Sequence, residues 1–315
     1  MRRDIGAEVR STHRHAIVRE RLVAAPSIRA TIVVTTIAVV ATLTLALAAP
    51  VTAAAPASLS FTRLAVAAVA AILAGMVNSV AGGGTLLTFP SLIAAGLAPL
   101  TANATSTVAL LPASLSAMAG YRGELTGARR WAIGLAIPSL VGGGLGAVLL
   151  LHTSNATFNR VVPWLVLGAT ALFLSQRALL RWLRATPGTP ATGQEEPPAP
   201  TPVLLGAQLA VGVYGGYFGA GIGILMLAAL GFMGFSNIHR MNGLKNWGAF
   251  CMNVVAALTF AFSGIVDWPV AASMAVGSIA GGYLGARAAQ RVPQGVVRGM
   301  VAVVGLTSGV WLLLR

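Results

Sequence analysis

Three consecutive glycines break an apolar stretch of the chain, and this break limits the possible folds more than any other feature. Gly82, Gly83 and Gly84 interrupt an apolar run that resumes through Pro90. Residues 65–121 contain no Asp, Glu, Lys, Arg or His, which disfavours the phosphate-binding glycine loop of a soluble protein. Within a membrane, irregular backbone is tolerated only where protein buries it or where it lines a wet cavity.

The composition is that of a membrane protein. Of the 315 residues, 56% are hydrophobic and 9% are charged, whereas soluble domains carry about 25% charged residues. The net charge of +14 does not predict nucleic-acid binding, because the Arg residues lie in short gaps between apolar runs, as the positive-inside rule distributes them. Cys251 is the single cysteine, so neither an intrachain disulfide nor a Cys-based metal site is expected. The sequence predicts an all-α, polytopic membrane protein that contacts the lipid bilayer.

The chain divides into a basic tail, an extra apolar segment and two halves. Residues 1–29 are predicted to form a cytoplasmic tail, and residues 28–49 an extra N-terminal transmembrane helix or a signal-like segment. A first transmembrane repeat spans 61–184, a Pro-rich cytoplasmic linker 185–202, and a second repeat 203–315. The ten predicted apolar segments are 61–81, 86–97, 103–121, 131–151, 161–181, 202–219, 224–235, 246–265, 268–288 and 295–314.

The two halves repeat each other with an offset of about 137–139 residues. This offset places Gly82 on Gly219 and Gly84 on Gly221, so both halves carry a glycine break at the same place. Short apolar segments that are interrupted by glycine in corresponding places of two halves point to a transporter's binding site. Each broken segment is predicted to be either a pair of half-helices or one re-entrant hairpin.

The placement of charges predicts the orientation. If residues 1–29 are cytoplasmic and successive segments alternate, 18 of the 21 Lys and Arg residues fall on the cytoplasmic side and three fall outside. The 185–202 linker is then cytoplasmic, and the loop that contains Asp267 is outside. Because each half contains an odd number of segments, the two halves enter the membrane from opposite sides. The sequence therefore predicts two inverted-topology repeats, each with a glycine-broken segment.

The breaks and one polar helix start predict a binding site for a small anion. A helix that restarts after a break directs free N–H groups and a positive dipole end into the protein, and such ends bind anions. If the chain is helical from Asn242, then Lys245, Asn246 and Asn253 share its face. An intramembrane ionisable residue such as Lys245 is functional by default; the alternative is that Lys245 and Arg240 form a cytoplasmic positive cluster in which Lys245 snorkels to the surface. The candidate substrate-binding residues are Asn78, Gly82, Gly83, Gly84, Thr85, Asn103, Thr105, Gly219, Gly221, Asn242, Lys245 and Asn246.

Other glycines predict helix packing instead of a site. Gly142 and Gly146, like Gly281 and Gly285, have the GxxxG spacing. This spacing allows two helix backbones to approach closely in a membrane. These pairs are therefore interpreted as packing positions.

Acidic residues are absent from the middle of the apolar segments. All seven lie in loops or tails, so no carboxylate is placed to carry a proton or to bind a divalent cation within a span. No HExxH, GxSxG or Walker A motif occurs. The chain is therefore expected not to be an enzyme and to need neither a cofactor nor a metal.

Several stretches resemble the pattern of a known family. Residues 78–125, NSVAGGGTLLTFPSLIAAGLAPLTANATSTVALLPASLSAMAGYRGEL, are similar to the signature of the TauE/SafE sulfite-exporter-like permeases. HRMNGLKNWGAFCMNVVAALTF (239–260) and GSIAGGYLGAR (277–287) resemble the second-half pattern of one branch of that family. The resemblance covers about residues 61–315, and the first 60 residues have no counterpart in it.

The resemblance implies a membrane transporter permease that moves a small anion, such as sulfite, a sulfonate or thiosulfate, across the bacterial cytoplasmic membrane. On this resemblance, the polar-glycine regions of the family fall on residues 78–85 and 215–223, and its polar helix starts on 103–106 and 242–246. The anion, the direction and the coupling ion stay open. A transporter or channel for another small solute and a non-transporting assembly or sensor subunit are the alternatives, and a homo-oligomer is compatible with the sequence.

Overall fold

The computed structural model describes residues 61–80, 84–120, 128–185, 200–232, 235, 238–288 and 294–314, and these form ten α-helices and no strand. The basic tail, the extra N-terminal helix, most of the linker, and Gly82 and Gly83 lie outside the described residues. The helices are α1 (Phe61–Val80), α2 (Thr85–Ala94), α3 (Pro99–Gly120), α4 (Arg129–Leu151), α5 (Asn155–Ala185), α6 (Pro202–Tyr217), α7 (Ile222–Phe232), α8 (Ile238–Ala261), α9 (Trp268–Ala288) and α10 (Gln294–Leu314).

Each predicted apolar segment overlaps one helix, and the largest difference concerns α8. This helix begins at Ile238, about two turns before the predicted segment 246–265. The predicted segment is located by its apolar side chains. A helix, however, extends as far as its backbone hydrogen bonds do, whatever the side chains are. The polar residues 239–246 are therefore helical, which brings Lys245 into the interior of α8.

The outer surface of the described helices is strongly apolar. Large hydrophobic side chains such as Ile137, Trp164 and Phe262 are exposed by 61%, 66% and 88%. A soluble monomer rarely exposes contiguous apolar patches on this scale. By length and composition alone, two described helices, Arg129–Leu151 and Asn155–Ser175, are long and apolar enough to cross a membrane. The exposed apolar faces are those expected against lipid.

Helices α1 and α2 form a hairpin. The Nε of Arg63, near the start of α1, donates to the carbonyl of Ala95 just after α2, at 2.7 Å. At the other end, the N–H of Gly84 donates to Asn78 Oδ1 at 2.8 Å. Because α2 has 10 residues, it is about 15 Å long, half of a typical hydrocarbon core. We call α1 and α2 the first hairpin, and its described residues 78–80, 84 and 85 the tip.

Helices α6 and α7 form a second hairpin. Helix α6 ends at Tyr217 and α7 begins at Ile222. Gly219 and Gly221 make the turn with φ of 81° and 77°, a left-handed conformation that side chains disfavour. Leu204, at the start of α6, belongs to the same buried cluster as Leu230, near the end of α7. Helix α7 therefore returns alongside α6, and residues 215–223 are the tip of the second hairpin.

The first helix of each hairpin runs parallel to one long helix and packs against it through glycines. In α1 against α9, a Cβ atom at Gly75 would lie 2.5 Å from the Ser278 carbonyl oxygen. In α4 against α6, a Cβ atom at Gly142 would lie 2.6 Å from the Leu209 carbonyl oxygen. The predicted packing role is confirmed for Gly142, and Gly281, which lies against the backbone of Ile72, has the same role.

Helices α3 and α8 pack against each other between the two hairpins. Ser278 of α9 donates to the Ala109 carbonyl of α3 at 3.0 Å, and Trp247 Nε1 of α8 donates to the Ala132 carbonyl of α4 at 2.8 Å. Each of the two crossing helices is thus tied to one of the long helices that support the hairpins. Helices α5 and α10 pack on each other and on α7 and α2, respectively.

Candidate functional site

A cavity of about 80 Å³ with a mixed polar and apolar lining lies where the tips of the two hairpins meet the crossing helices α3 and α8. A cavity needs roughly 10–15 Å³ by this measure to hold one water, so this one accommodates several waters or one small solute. Its walls come from all four elements. The lining residues are Asn78, Thr85, Thr107, Leu110, Ala113, Ser114, Phe218, Gly219, Ile222, Gly223, Lys245, Asn246, Ala249 and Asn253.

Lys245 is the one charged residue in this lining. Only 6% of the residue is exposed, and neither a hydrogen bond nor an ion pair links its ammonium group to any described residue. Lys and other charged residues are almost never buried to this extent without a partner. When Lys245 is protonated, its ammonium group gives the cavity a positive charge that no side chain of the described chain neutralises.

The tip of the first hairpin contributes Asn78 and Thr85 to the cavity. The side chain of Asn78 accepts from the N–H of Gly84 and so satisfies one of the donors that a helix start leaves free. Gly84 has an ordinary φ of −55°, but a Cβ atom there would lie 2.7 Å from the Ala74 carbonyl oxygen. Glycine is required at this position because the two helices of the hairpin approach so closely.

The tip of the second hairpin contributes residues 218, 219, 222 and 223. Tyr214 braces the turn, because its hydroxyl donates to the Ala220 carbonyl at 2.7 Å and its own carbonyl accepts from the N–H of Gly219 at 3.2 Å. Phe218 packs edge-to-face on Phe89 of α2, with ring centroids 5.4 Å apart. The start of α7, with its positive dipole end, is thereby held at the cavity.

The crossing helices contribute two polar faces. On α8, Asn246 and Asn253 are two helical turns apart and line the cavity with Lys245. On α3, Thr107 and Ser114 have the same spacing and also line it. Residues seven apart lie on the same side of a helix, so each helix presents one polar stripe to the same space.

The structure brings together five of the twelve candidate residues at the cavity, namely Asn78, Thr85, Gly219, Lys245 and Asn246. Gly84 lies directly behind them, since it donates to Asn78. Gly221 lies behind the second tip, where a Cβ atom would be 3.7 Å from Ala169. Gly82 and Gly83 are outside the described residues, so their predicted role stays a prediction.

Asn103, Thr105 and Asn242 are not among the residues that line the cavity. Asn103 is fully buried and its Nδ2 donates to the Tyr217 carbonyl at 2.8 Å, at the end of α6. Thr105 is also fully buried, and its hydroxyl accepts from the N–H of Asp267 at 3.0 Å. These contacts join α3 to the second hairpin and to the start of α9.

Several lining residues were absent from the sequence-derived set, including Thr107, Ser114, Gly223 and Asn253. Helical spacing could have found the two α3 residues, because a stripe at intervals of seven is visible in the sequence. Gly223 lies in the region 215–223 that the family resemblance marks, but its contact with Lys245 of α8 is visible only in the structure. The described residues hold no group of three or more His, Cys, Asp or Glu that could bind a metal.

Comparison with known proteins identifies the family. The model of the family described as sulfite exporter TauE/SafE matches residues 66–312. The chain belongs to the TauE/SafE family. As a member of a family of membrane transporters, this TauE/SafE protein is located in a membrane. No solved structure matches it significantly.

Curated relatives of this TauE/SafE protein are named as transporters. It is 29% identical over 260 residues to the "Probable membrane transporter protein ORF9" of Sinorhizobium sp, covering 81% of this chain and 94% of the relative. It is 28% identical to a "Probable membrane transporter protein" of Haemophilus influenzae, with 73% and 87% covered. It is 29% identical to the "Probable membrane transporter protein YfcA" of Escherichia coli K12, with 77% and 87% covered.

Proposed function

We propose that this TauE/SafE protein is a permease that moves a small anion across the bacterial cytoplasmic membrane through the cavity between the two hairpin tips. The observation that carries the proposal is that Lys245 is buried in the wall of that cavity and that its ammonium group has no partner among the described residues. We propose that the substrate is a sulfur-containing oxyanion or a sulfonate. The sulfur is supported by the family description, and the negative charge by the cavity.

The charge argument rests on desolvation. An ion that leaves water for a low-dielectric site loses several kcal/mol of hydration free energy, which an opposite charge and good hydrogen bonds must offset. Lys245 supplies the opposite charge, and Asn78, Thr85, Asn246 and Asn253 supply neutral hydrogen-bonding groups. The start of α7 adds the equivalent of about half a positive charge. A cation would meet the same positive field without any acidic group in the lining to stabilise it.

We further propose that the two halves are inverted repeats. Three relationships support this. The first hairpin pairs with α9 and the second with α4, each pair being parallel and packed through glycines. In each hairpin the end of the shorter helix, α2 or α7, lies beside the start of the longer helix, α1 or α6. Both tips contribute to one cavity, as in transporters where two repeats form a central site.

The hairpins favour re-entrant segments over successive half-spans. Arg63 and Ala95 are bonded at the open end of the first hairpin, so α1 begins and α2 ends on the same side of the molecule. Leu204 and Leu230 give the same relationship for the second hairpin. In this proposal the first hairpin opens to the outside and the second to the cytoplasm.

Binding to the purified protein tests the function. The melting temperature would be measured with sulfite, thiosulfate, taurine, sulfate and uncharged analogues, because a ligand that binds the folded state stabilises it by about 2.7 kcal/mol at 100 times Kd. One or more sulfur anions should raise the melting temperature of the wild type, and the increase should be lost in Lys245→Met. Equal shifts in the wild type and in Lys245→Met would place the anion elsewhere. A shift with uncharged analogues alone would overturn anion transport.

A further inference from the structure

We infer that the coupling ion is a proton and that the Lys245 side chain carries it, so that anion and proton cross the membrane together. This inference rests on the proposed function, because it assigns a second role to the cavity that binds the anion. The cavity holds one ionisable side chain, and that side chain lies among the residues that would touch the substrate. The family membership and the relatives' names give no coupling ion.

The burial of Lys245 makes its charge depend on the occupant of the cavity. Lys245 is 94% buried as a residue and has no partner among the described residues, so its ammonium group loses hydration without a compensating charge, which is unfavourable. A bound anion removes that penalty by neutralising the ammonium group. Anion binding and protonation of the amine are therefore favoured together, and each must strengthen the other by the same factor.

The groups that surround Lys245 offer no competing acid, base or counter-charge. The first hairpin, α3, the second hairpin and α8 face the cavity with amides, hydroxyls, apolar groups and glycine. The other described titratable or charged side chains on these elements do not line it. Tyr214 donates its hydroxyl to the Ala220 carbonyl, Tyr217 donates its hydroxyl to Thr153, Cys251 is buried in α8, and Arg240 lies five residues before Lys245 in α8. Asp267 serves at the start of α9, where it accepts from the N–H of Val270. Within the described chain, Lys245 is thus the one group placed to exchange a proton with the substrate site.

The proton balance of the cycle is simple. Before the empty cavity changes conformation, the Nζ of Lys245 releases its proton and becomes a neutral amine with a free electron pair. When a singly charged anion enters, Nζ binds one proton from water on the same side, and the resulting ammonium group neutralises the anion. When the anion leaves on the other side, Nζ releases that proton to water there. The loaded and the empty cavity then both carry no net charge, which keeps the free energy of the conformational change low.

Proton uptake during anion binding tests this inference. The full-length protein in detergent, weakly buffered and with a pH indicator, would be titrated with methanesulfonate, an anion of a strong acid that does not itself titrate near neutral pH. At alkaline pH the wild type should take up close to one proton per anion bound, and uptake should fall as the pH is lowered. Its affinity should weaken about tenfold per pH unit on the alkaline side, as linkage to one proton requires.

Two variants separate this inference from the proposed function. Lys245→Arg keeps a permanent positive charge, because a guanidinium group stays protonated, and it should bind methanesulfonate with no proton uptake. Thr307→Ala, an exposed position on α10 outside the cavity, should take up protons like the wild type. Anion binding by the wild type without proton uptake, or with an affinity that does not change with pH, overturns the proton coupling alone. If none of the anions binds to the wild type, the proposed function is overturned and, with it, this inference.

Discussion

The side chain of Lys245 lies across Gly223, and a Cβ atom at Gly223 would be 3.2 Å from Lys245 Cδ. Gly223 is in the first turn of α7, whereas Lys245 is in the second turn of α8. The missing side chain at one position thus makes room for the aliphatic part of the other. Lys245 and the start of α7, which carries a positive helix dipole end, therefore line the same cavity.

Filling the space at Gly223 should weaken anion binding. In Gly223→Val the branched side chain would overlap the stem of Lys245, so that the ammonium group is displaced from the cavity. We expect at least a tenfold loss of anion affinity, which corresponds to about 1.4 kcal/mol, measured by calorimetry on the purified protein. Gly206→Val is the matched control, since nothing lies within 4 Å of a Cβ atom at that helical position. An equal loss in both variants would attribute the effect to helix propensity.

Gly143 would be an unsuitable control for any glycine in the site. A Cβ atom at Gly143 would lie 2.5 Å from the Met252 carbonyl oxygen, so Gly143→Val should separate α4 from α8. Such overpacking costs roughly 1–3 kcal/mol. A comparison of a glycine in the site with Gly143→Val would therefore mix a site effect with a packing effect.

Asn78 should stabilise the tip of the first hairpin. Asn78→Ala removes the acceptor for the N–H of Gly84, and loss of such a cap costs about 1 kcal/mol. We expect the melting temperature to fall by roughly 2–4 °C. Asn78→Asp keeps an acceptor of the same shape and should melt near the wild type, but its negative charge should weaken anion binding. Full stability in Asn78→Ala would contradict a capping role.

Substitution of acidic residues should leave transport intact. The side chain of Asp267 accepts from the N–H of Val270 at 3.2 Å, at the start of α9, and an amide oxygen can replace it there. We therefore expect Asp267→Asn and Glu124→Gln to retain most of the uptake in proteoliposomes. Glu124 is outside the described residues, so the expectation that Glu124→Gln retains uptake rests on the position of Glu124 in a loop of the sequence. Loss of transport by a normally inserted variant would reveal a gate or proton relay at the end of a helix.

Labelling of single cysteines tests the predicted orientation. In a Cys251→Ser background, a cysteine introduced by Gly193→Cys should be protected from an impermeant thiol reagent in intact cells. A cysteine introduced by Asn155→Cys, at the exposed start of α5, should be labelled. The reason is the excess of Lys and Arg on the side of the linker. Labelling of the Gly193→Cys variant in intact cells would show that the predicted orientation is wrong.

The helices could be predicted well because their signal is local. Ten apolar segments give ten helices in the described chain, since a membrane protein must satisfy its backbone groups within each helix. The glycine spacing likewise indicated close packing, and Gly142 shows it against the Leu209 carbonyl oxygen. The predicted apolar segment 246–265 begins about two turns later than α8, because a polar stretch of sequence carries no apolar signal although its backbone hydrogen bonds continue.

The sequence by itself determined the class of protein, the positions of the helices and the residue types that a small anion requires. Only the tertiary structure decided which of those residues share a cavity. Asn103 and Thr105 have suitable chemistry, but they are used in contacts to Tyr217 and Asp267. Gly223 carries no polar group, yet its lack of a side chain leaves room for the aliphatic part of Lys245. The physical reason is that a site depends on contacts between helices far apart in sequence, and these follow from packing rather than from local pattern.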